Sequence, residues 1–282
     1  MKKKQKLIGG VLGGMGPLAT VDFMSRVIAL NPINNEEDHV HLFVDQNPHI
    51  PNRQIKSISQ EKAISSSLID SAKKLEVAGA NFIIMPCNTA HIFAKDIIKA
   101  ISVPFLHIVE ETVDEISKIY PNYNKVGLMA TSACLTSEIY QSGLIKSGKV
   151  PVCPSLMFQE QCMKTIFAIK DGEEIEPMKY QMIEVAEHLI NNGAEIIIAG
   201  CTEIPLIIKS IDIEVPLISS TEVLAMRTIE LATNTVGDTT TYTLTFKDDL
   251  LTKYNAGTNA VVVAGTNITV TPTVTAATAT TP

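Results

Sequence analysis

Along the first 233 positions, apolar residues keep two alternating rhythms. Short, unbroken, β-branched runs are followed by longer stretches in which apolar residues return every three or four positions. The runs predict strands buried on both faces, and the stretches predict helices packed against them. Strands are expected at 6–12, 40–45, 81–86 and 103–108, and helices at 17–30, 57–78 and 90–100. The alternation resumes with strands at 125–129, 152–157, 195–199 and 215–218. Helices are expected there from 132 to about 147 and at 159–170, 176–192, 203–210 and 221–233. Gly13-Gly14-Met15-Gly16-Pro17 reads as the tight turn between the first strand and the first helix.

The pattern is duplicated. Gly79-Ala80 opens an apolar run that ends at Cys87, and Gly193-Ala194 opens one that ends at Cys201. Ile101–Leu106 has a counterpart in Ile213–Ile218, and Ile8–Gly14 has one in Val126–Ser132. Alternating strands and helices imply parallel sheets with helices on both faces. The expected fold class is therefore α/β, with two similar three-layer α/β/α domains related by pseudo-two-fold symmetry. Their expected extents are 1–112 and 113–233, the chain crossing back to the first half near the end, with a cleft between them. Residues 234–282 break the pattern, with 16 threonines and five charged side chains. They read as a β-prone, Thr-rich appendage that could be a fused or pairing segment, with 275–282 expected to be disordered.

Composition narrows the partners. The net charge of −7 and the aromatic content of 5%, without tryptophan, argue against a nucleic-acid surface. No run is long enough for a membrane span. Lys2-Lys3-Lys4 before an apolar stretch imitates a secretion leader, but the glycines that interrupt it read as a strand and turn. The five cysteines are odd in number and lack paired spacing, which fits neither a disulfide framework nor a metal ribbon and points to a reducing cytoplasm.

The candidate chemistry lies at the duplicated cysteines. Both fall just past the carboxyl ends of equivalent strands, where open α/β sheets bind ligands. Free N–H groups at such strand-to-helix turns favour a thiolate. A thiolate and a thiol facing one carbon from opposite sides could remove a proton from one face and deliver one to the other. An amino-acid Cα proton is very weakly acidic, so such a site needs many directed donors. Asn88, Thr89, Thr131, Ser132 and Thr202 are candidates, with the backbone around Met15 and Gly16. Arg53, in the polar loop from Asn47, could clamp a carboxylate, and Lys164 is a second candidate cation. Cys134, Cys153 and Cys162 read as packing residues, and His91 as a residue that orients or caps the helix after Cys87. No metal set is expected.

Gly13–Pro17, Asn47–Arg53, Met85-Pro86-Cys87-Asn88-Thr89-Ala90-His91 and Gly200-Cys201-Thr202-Glu203 together resemble the aspartate/glutamate racemase superfamily over about residues 5–233. The likeness is strongest to its aspartate racemase branch, because Glu203 stands where the glutamate branch usually has histidine. The resemblance implies a racemase without pyridoxal phosphate or metal, acting on a small amino acid through paired cysteines. Carried over, Cys87 and Cys201 are the acid/base pair, and the candidate donors, with Arg53, hold the substrate. Relatives with other chemistry, hydantoin racemases and maleate isomerases, share much of this pattern. The resemblance also implies a homodimer, and the tail could raise the assembly or use the racemase unit as a scaffold.

Overall fold

The unbroken apolar runs become strands covered on both faces. Every residue of β1 (Gly9–Gly13), β3 (Phe82–Ile84) and β7 (Ile196–Gly200) is buried. The structure is a computed structural model that describes residues 6–54 and 57–233 and the short strand at 244–245. In the first half, β1 leads into α1 (Pro17–Leu30), followed by β2 (Leu42–Gln46), α2 (Ile58–Val77), β3, α3 (Ala94–Ala100) and β4 (Phe105–Leu106). Helix α4 (Ile108–Ile119) crosses to β5 (Lys125–Ala130), α5 (Ser132–Thr136), α6 (Ile139–Lys146) and β6 (Val150–Val152). Then come α7 (Leu156–Lys170), α8 (Glu176–Asn191), β7, α9 (Ile204–Ile207), β8 (Leu217–Ser219) and α10 (Ser220–Thr233).

The two sheets have the same order. The first runs β2-β1-β3-β4 and the second β6-β5-β7-β8, all parallel. Strands β1 and β5 are thus equivalent, as are β3 and β7, and each half carries its cysteine past the third strand of its order. The fold is the expected α/β architecture of paired parallel sheets with flanking helices. A two-residue strand, β9 (Leu244–Thr245), adds antiparallel to the β4 edge, with Thr245 opposite Phe105. The remaining β-prone segments of the tail lie outside the described residues.

Packing follows from alternation along the strands. Leu12 and Ile83 turn outward to Ile64 and Leu68 of α2. Ile197 and Met129 turn to Ile166 of α7 and to Val185 and Leu189 of α8. The inward residues of both sheets, Val11, Ile84, Val126, Leu128 and Ile198, meet a common layer from α1, α4, α6 and α10. Phe23, Val113, Tyr140 and Leu224 are among its fully or almost fully buried members. Fully burying such a side chain contributes about 1.5–3 kcal/mol. The central layer therefore belongs to both halves, and α10 packs against α1 and α4.

Several boundaries differ from the expectations. Helix α4 was absent from them, because its buried face carries Glu111 and Glu115 among Ile108, Val109, Val113 and Ile116. Both carboxylates are matched by buried Arg227 of α10, whose Nε lies 3.1 Å from Glu111 and whose Nη2 pairs with Glu115. The strand expected at 152–157 is shorter and earlier, at Val150–Val152. Its apolar end, Leu156 and Met157, is instead the exposed first turn of α7. The single helix expected from 132 to 147 is two, separated where Glu138 adopts a left-handed φ of 55°. The helix expected from 90 to 100 begins as a 3-10 turn, Thr89–Phe93.

Candidate active site

Gly14 follows β1 with φ of +91°, a conformation that glycine adopts without strain. A Cβ there would overlap the backbone of Asn47, so the absent side chain lets the first turn touch the loop after β2. Thr20 ties the turn back, accepting from Gly14 N–H at 2.9 Å and donating to the Gly16 carbonyl at 3.1 Å. Arg53, on the touching loop, donates to the carbonyls of Met15 at 3.1 Å, Pro51 at 3.1 Å and Ile50 at 3.3 Å. These bonds use three of the five N–H donors of the guanidinium, leaving two for a ligand. Gln54 accepts from Ala133 N–H at 3.1 Å and joins the loop to the second half.

Cys87 and Cys201 open on one cavity of about 270 Å³ between the halves. Met15, Gly16, Arg53 and Asn88 line it, as do Thr89, Thr131 and Thr202. Both cysteines are almost wholly shielded, at 5% and 4% exposure, so charge on either sulfur meets little water. Thr89 and Thr131 share a hydrogen bond of 2.8 Å across the halves, and Thr131 Oγ1 accepts from Cys134 N–H at the start of α5.

Two expected residues are not brought in. Lys164 is exposed on α7, and the lysine that lines the cavity is Lys170. Six residues along a helix turn the side chain onto a different face. Ser132 begins α5 outside the cavity lining, with its Oγ accepting from Gln159 Nε2 at 3.2 Å.

Glu203 and Lys170 are the functional candidates that sequence reasoning missed. Glu203 is 2% exposed and pairs with Lys170, whose ammonium also lies 3.4 Å from the Met15 carbonyl. Its other oxygen accepts from Cys201 Sγ at 3.0 Å and from Thr202 Oγ1 at 3.2 Å. A signal was present: a carboxylate two residues beyond one cysteine, where the other motif has Thr89. Lys170 gave none, because the last turn of a helix carries solvated lysines routinely.

Burial and neighbouring charges act on the Cys201 thiol and on Lys170. Burial first, then the Glu203 charge, pushes the Cys201 thiol well above the ordinary range, although Lys170 pulls it down. The expected thiolate-favouring turn is outweighed at this cysteine by desolvation and an adjacent anion. Burial lowers the Lys170 pKa, but Glu203, Cys201 and Cys87 more than offset it, so the ammonium is held above its usual value. Behind Cys87, His91 Nδ1 lies 2.8 Å from the Cys87 carbonyl while its Nε2 accepts from Ile108 N–H at 3.2 Å. The proton on this ring is thus assigned to Nδ1 by its neighbours.

Like-ordered parallel sheets with flanking helices, meeting at a shared cavity, are the fold of amino-acid racemases, which are isomerases. Residues 12–228 match the family model described as Asp/Glu/Hydantoin racemase, and the chain belongs to that family. It is 35% identical over 226 residues to the broad specificity amino-acid racemase RacX of Bacillus subtilis, covering 78% of this chain and 96% of the relative. Among solved structures, it is similar to the Picrophilus torridus aspartate racemase at TM-score 0.69 and 30% identity, covering 80% of this chain and 94% of that one. An aspartate racemase homologue from Pyrococcus horikoshii matches at TM-score 0.66 and 28% identity, covering 81% of this chain and 99% of that one.

Proposed function

We propose that this chain interconverts the enantiomers of an acidic amino acid, aspartate foremost, by two-base proton transfer between Cys87 and Cys201. The observation that carries the reading is their common cavity, entered from equivalent strand ends. In one direction, the Cys87 thiolate takes the Cα proton and Cys201 gives its S–H proton to the opposite face, which leaves Cys87 as thiol and Cys201 as thiolate. The other enantiomer reverses each transfer. Glu203 favours the thiol form of Cys201 by accepting its S–H. Lys170 offsets the charge when the sulfur becomes a thiolate. Asn88 holds the substrate carboxylate, while Thr89, Thr131, Thr202 and the remaining donors of Arg53 stabilise the developing carbanion. The chemistry asks for no electron-sink cofactor, only for donors already aimed.

Aspartate is favoured by Arg53 and by the likeness to the Picrophilus protein named for that substrate. A broader range is the second reading, and one observation favours it. Lys170 is already matched by Glu203, so among the described lining residues Arg53 is the cation without a carboxylate partner. One such cation serves the α-carboxylate of any amino acid. Chiral chromatography of single enantiomers of aspartate, glutamate and neutral amino acids decides between them. Fastest conversion of aspartate is expected, and neutral substrates turning over at least as fast would establish the broader range. Cys87→Ser and Cys201→Ser should each lose at least ~100-fold in racemisation, the usual scale for a missing acid or base. Parental rates in either variant would refute the two-base assignment.

A further inference from the structure

Asn88 directly follows Cys87 and lines the cavity, yet both ends of its side chain are held from behind. Ser220 Oγ donates to the Ala199 carbonyl at 2.8 Å, which spends its one proton. It must therefore accept from Asn88, whose Nδ2 lies 3.0 Å away. The other end of the amide, Oδ1, accepts from Tyr140 Oη at 2.6 Å. The result is a chain with one direction, from the Tyr140 hydroxyl through the Asn88 amide and Ser220 to the backbone of β7. It ends two residues before Cys201 and so joins the turn of one cysteine to the strand of the other.

From this directed chain we infer that Tyr140 is a positioning residue for the racemase reaction, fixing Asn88 as an N–H donor toward the substrate carboxylate. The proposal rests on the racemase reading. With Oδ1 spent on Tyr140 and one N–H on Ser220, the second Nδ2 hydrogen is what the amide has left to offer. A flipped amide would turn an acceptor toward a carboxylate and repel it. Tyr140 is fully buried on α6, in the layer shared by the halves, and its hydroxyl also lies against Thr112 and Ser220. Burial holds that phenol far above its ordinary pKa, so it remains a donor throughout the working pH range.

Tyr140→Phe removes one oxygen and tests the assignment. A donor that holds the carboxylate equally in ground and transition states is read in KM rather than in kcat. Its loss is expected to raise KM about tenfold, with kcat within a few-fold of the parent. Ser220→Ala breaks the same chain from the other end and should give the same split. It carries the test if the phenylalanine variant melts below assay temperature. Asn88→Asp, which keeps the shape but loses the donors, should raise KM by more. If Tyr140 acts through Asn88, adding Tyr140→Phe to Asn88→Ala should cost nothing further. A folded Tyr140→Phe with parental KM, or an equal cost in both backgrounds, overturns the proposal. A second readout needs no turnover. The Asn88 side-chain amide, assigned in a nitrogen-15 spectrum by its absence in Asn88→Asp, should exchange slowly with solvent and lose that protection in Tyr140→Phe. Unchanged protection overturns the proposal even if the parent racemises nothing, an outcome that would sink the racemase reading by itself.

Discussion

At the residue scale, the duplicated cysteines differ in their close neighbours. Position two past Cys87 is Thr89, a neutral group engaged with Thr131; position two past Cys201 is Glu203, a buried carboxylate engaged with the sulfur. An anion beside a thiol disfavours its ionisation, and a shielded site leaves that effect little screened. Glu203→Gln removes the negative charge and leaves Lys170 unmatched, and both changes favour the Cys201 thiolate. The pH at which Cys201 becomes reactive should therefore fall. Mass-spectrometric mapping of iodoacetamide labelling across a pH series checks this, with Cys201 labelling faster in the variant. Equal labelling of Cys201 in parent and variant would mean that burial alone sets its ionisation. The turn that approaches these groups depends on a missing side chain. Gly14→Ala adds a Cβ where φ is +91° and the Asn47 backbone already fills the space. The strained conformation alone costs about 1–3 kcal/mol, and relieving the clash must move the Arg53 loop. Reduced denaturant midpoint together with raised KM is expected; a change in stability without one in KM would separate the turn from the site.

At the element scale, the start of α4 couples stability to pH. His107 caps that helix, its Nδ1 accepting from Glu110 N–H at 3.4 Å, and its ring lies 4.6 Å from that of His91. Burial lowers the His107 pKa to about 4, and burial followed by the nearby His107 lowers His91 well below its ordinary value. Both rings stay neutral in the folded chain while an unfolded histidine protonates near pH 6.5. Stability should therefore be full above that pH and fall as pH drops toward about 4, by on the order of 3 kcal/mol for His107. Glu110 opposes this trend, since burial and then Asp114 raise its pKa to about 7, and its contribution fades as pH rises. Urea midpoints at about pH 7 and about pH 4.5 should differ less in His107→Asn, which retains a capping side chain, than in the parent. The same helix explains what could be read in advance. Strand–helix alternation, the duplicated order and the cysteine turns were legible because apolar runs and their spacing are local properties. Helix α4 was not, because Glu111 and Glu115 are buried only by virtue of Arg227, which is distant in sequence. Lys170 escaped notice for the same reason: the partner that draws it inward, Glu203, lies on another element. Ser132 was placed in the site beside Thr131, and Lys164 as a cation on its helix; the cavity is lined by Thr131 and Lys170 instead.

At the scale of the whole molecule, the halves share their interior. Inward residues of both sheets meet the same layer of α1, α4, α6 and α10, and the Arg227 pairs bind α10 to α4 inside it. Neither sheet keeps a covered inner face without that layer, so separation of the halves would expose Val11, Ile84, Val126 and Ile198 together. The described core should unfold as one unit, with far-ultraviolet dichroism and tyrosine fluorescence giving coincident urea transitions. Leu224→Ala, at the centre of the shared layer, should cost about 2–5 kcal/mol and move both probes equally. Arg227→Met tests the polar part of the same layer. It strands Glu111 and Glu115 without their cation, and breaking a buried pair from one side costs about 3–5 kcal/mol. Its penalty should shrink when Glu111→Gln and Glu115→Gln are added, since the amides carry no charge to strand. A loss of coincidence in the parent, with one half melting first, would show that the common layer belongs to one sheet and merely touches the other. The cavity would then lie between bodies free to part, and the shared placement of Cys87 and Cys201 on it would need substrate to hold it.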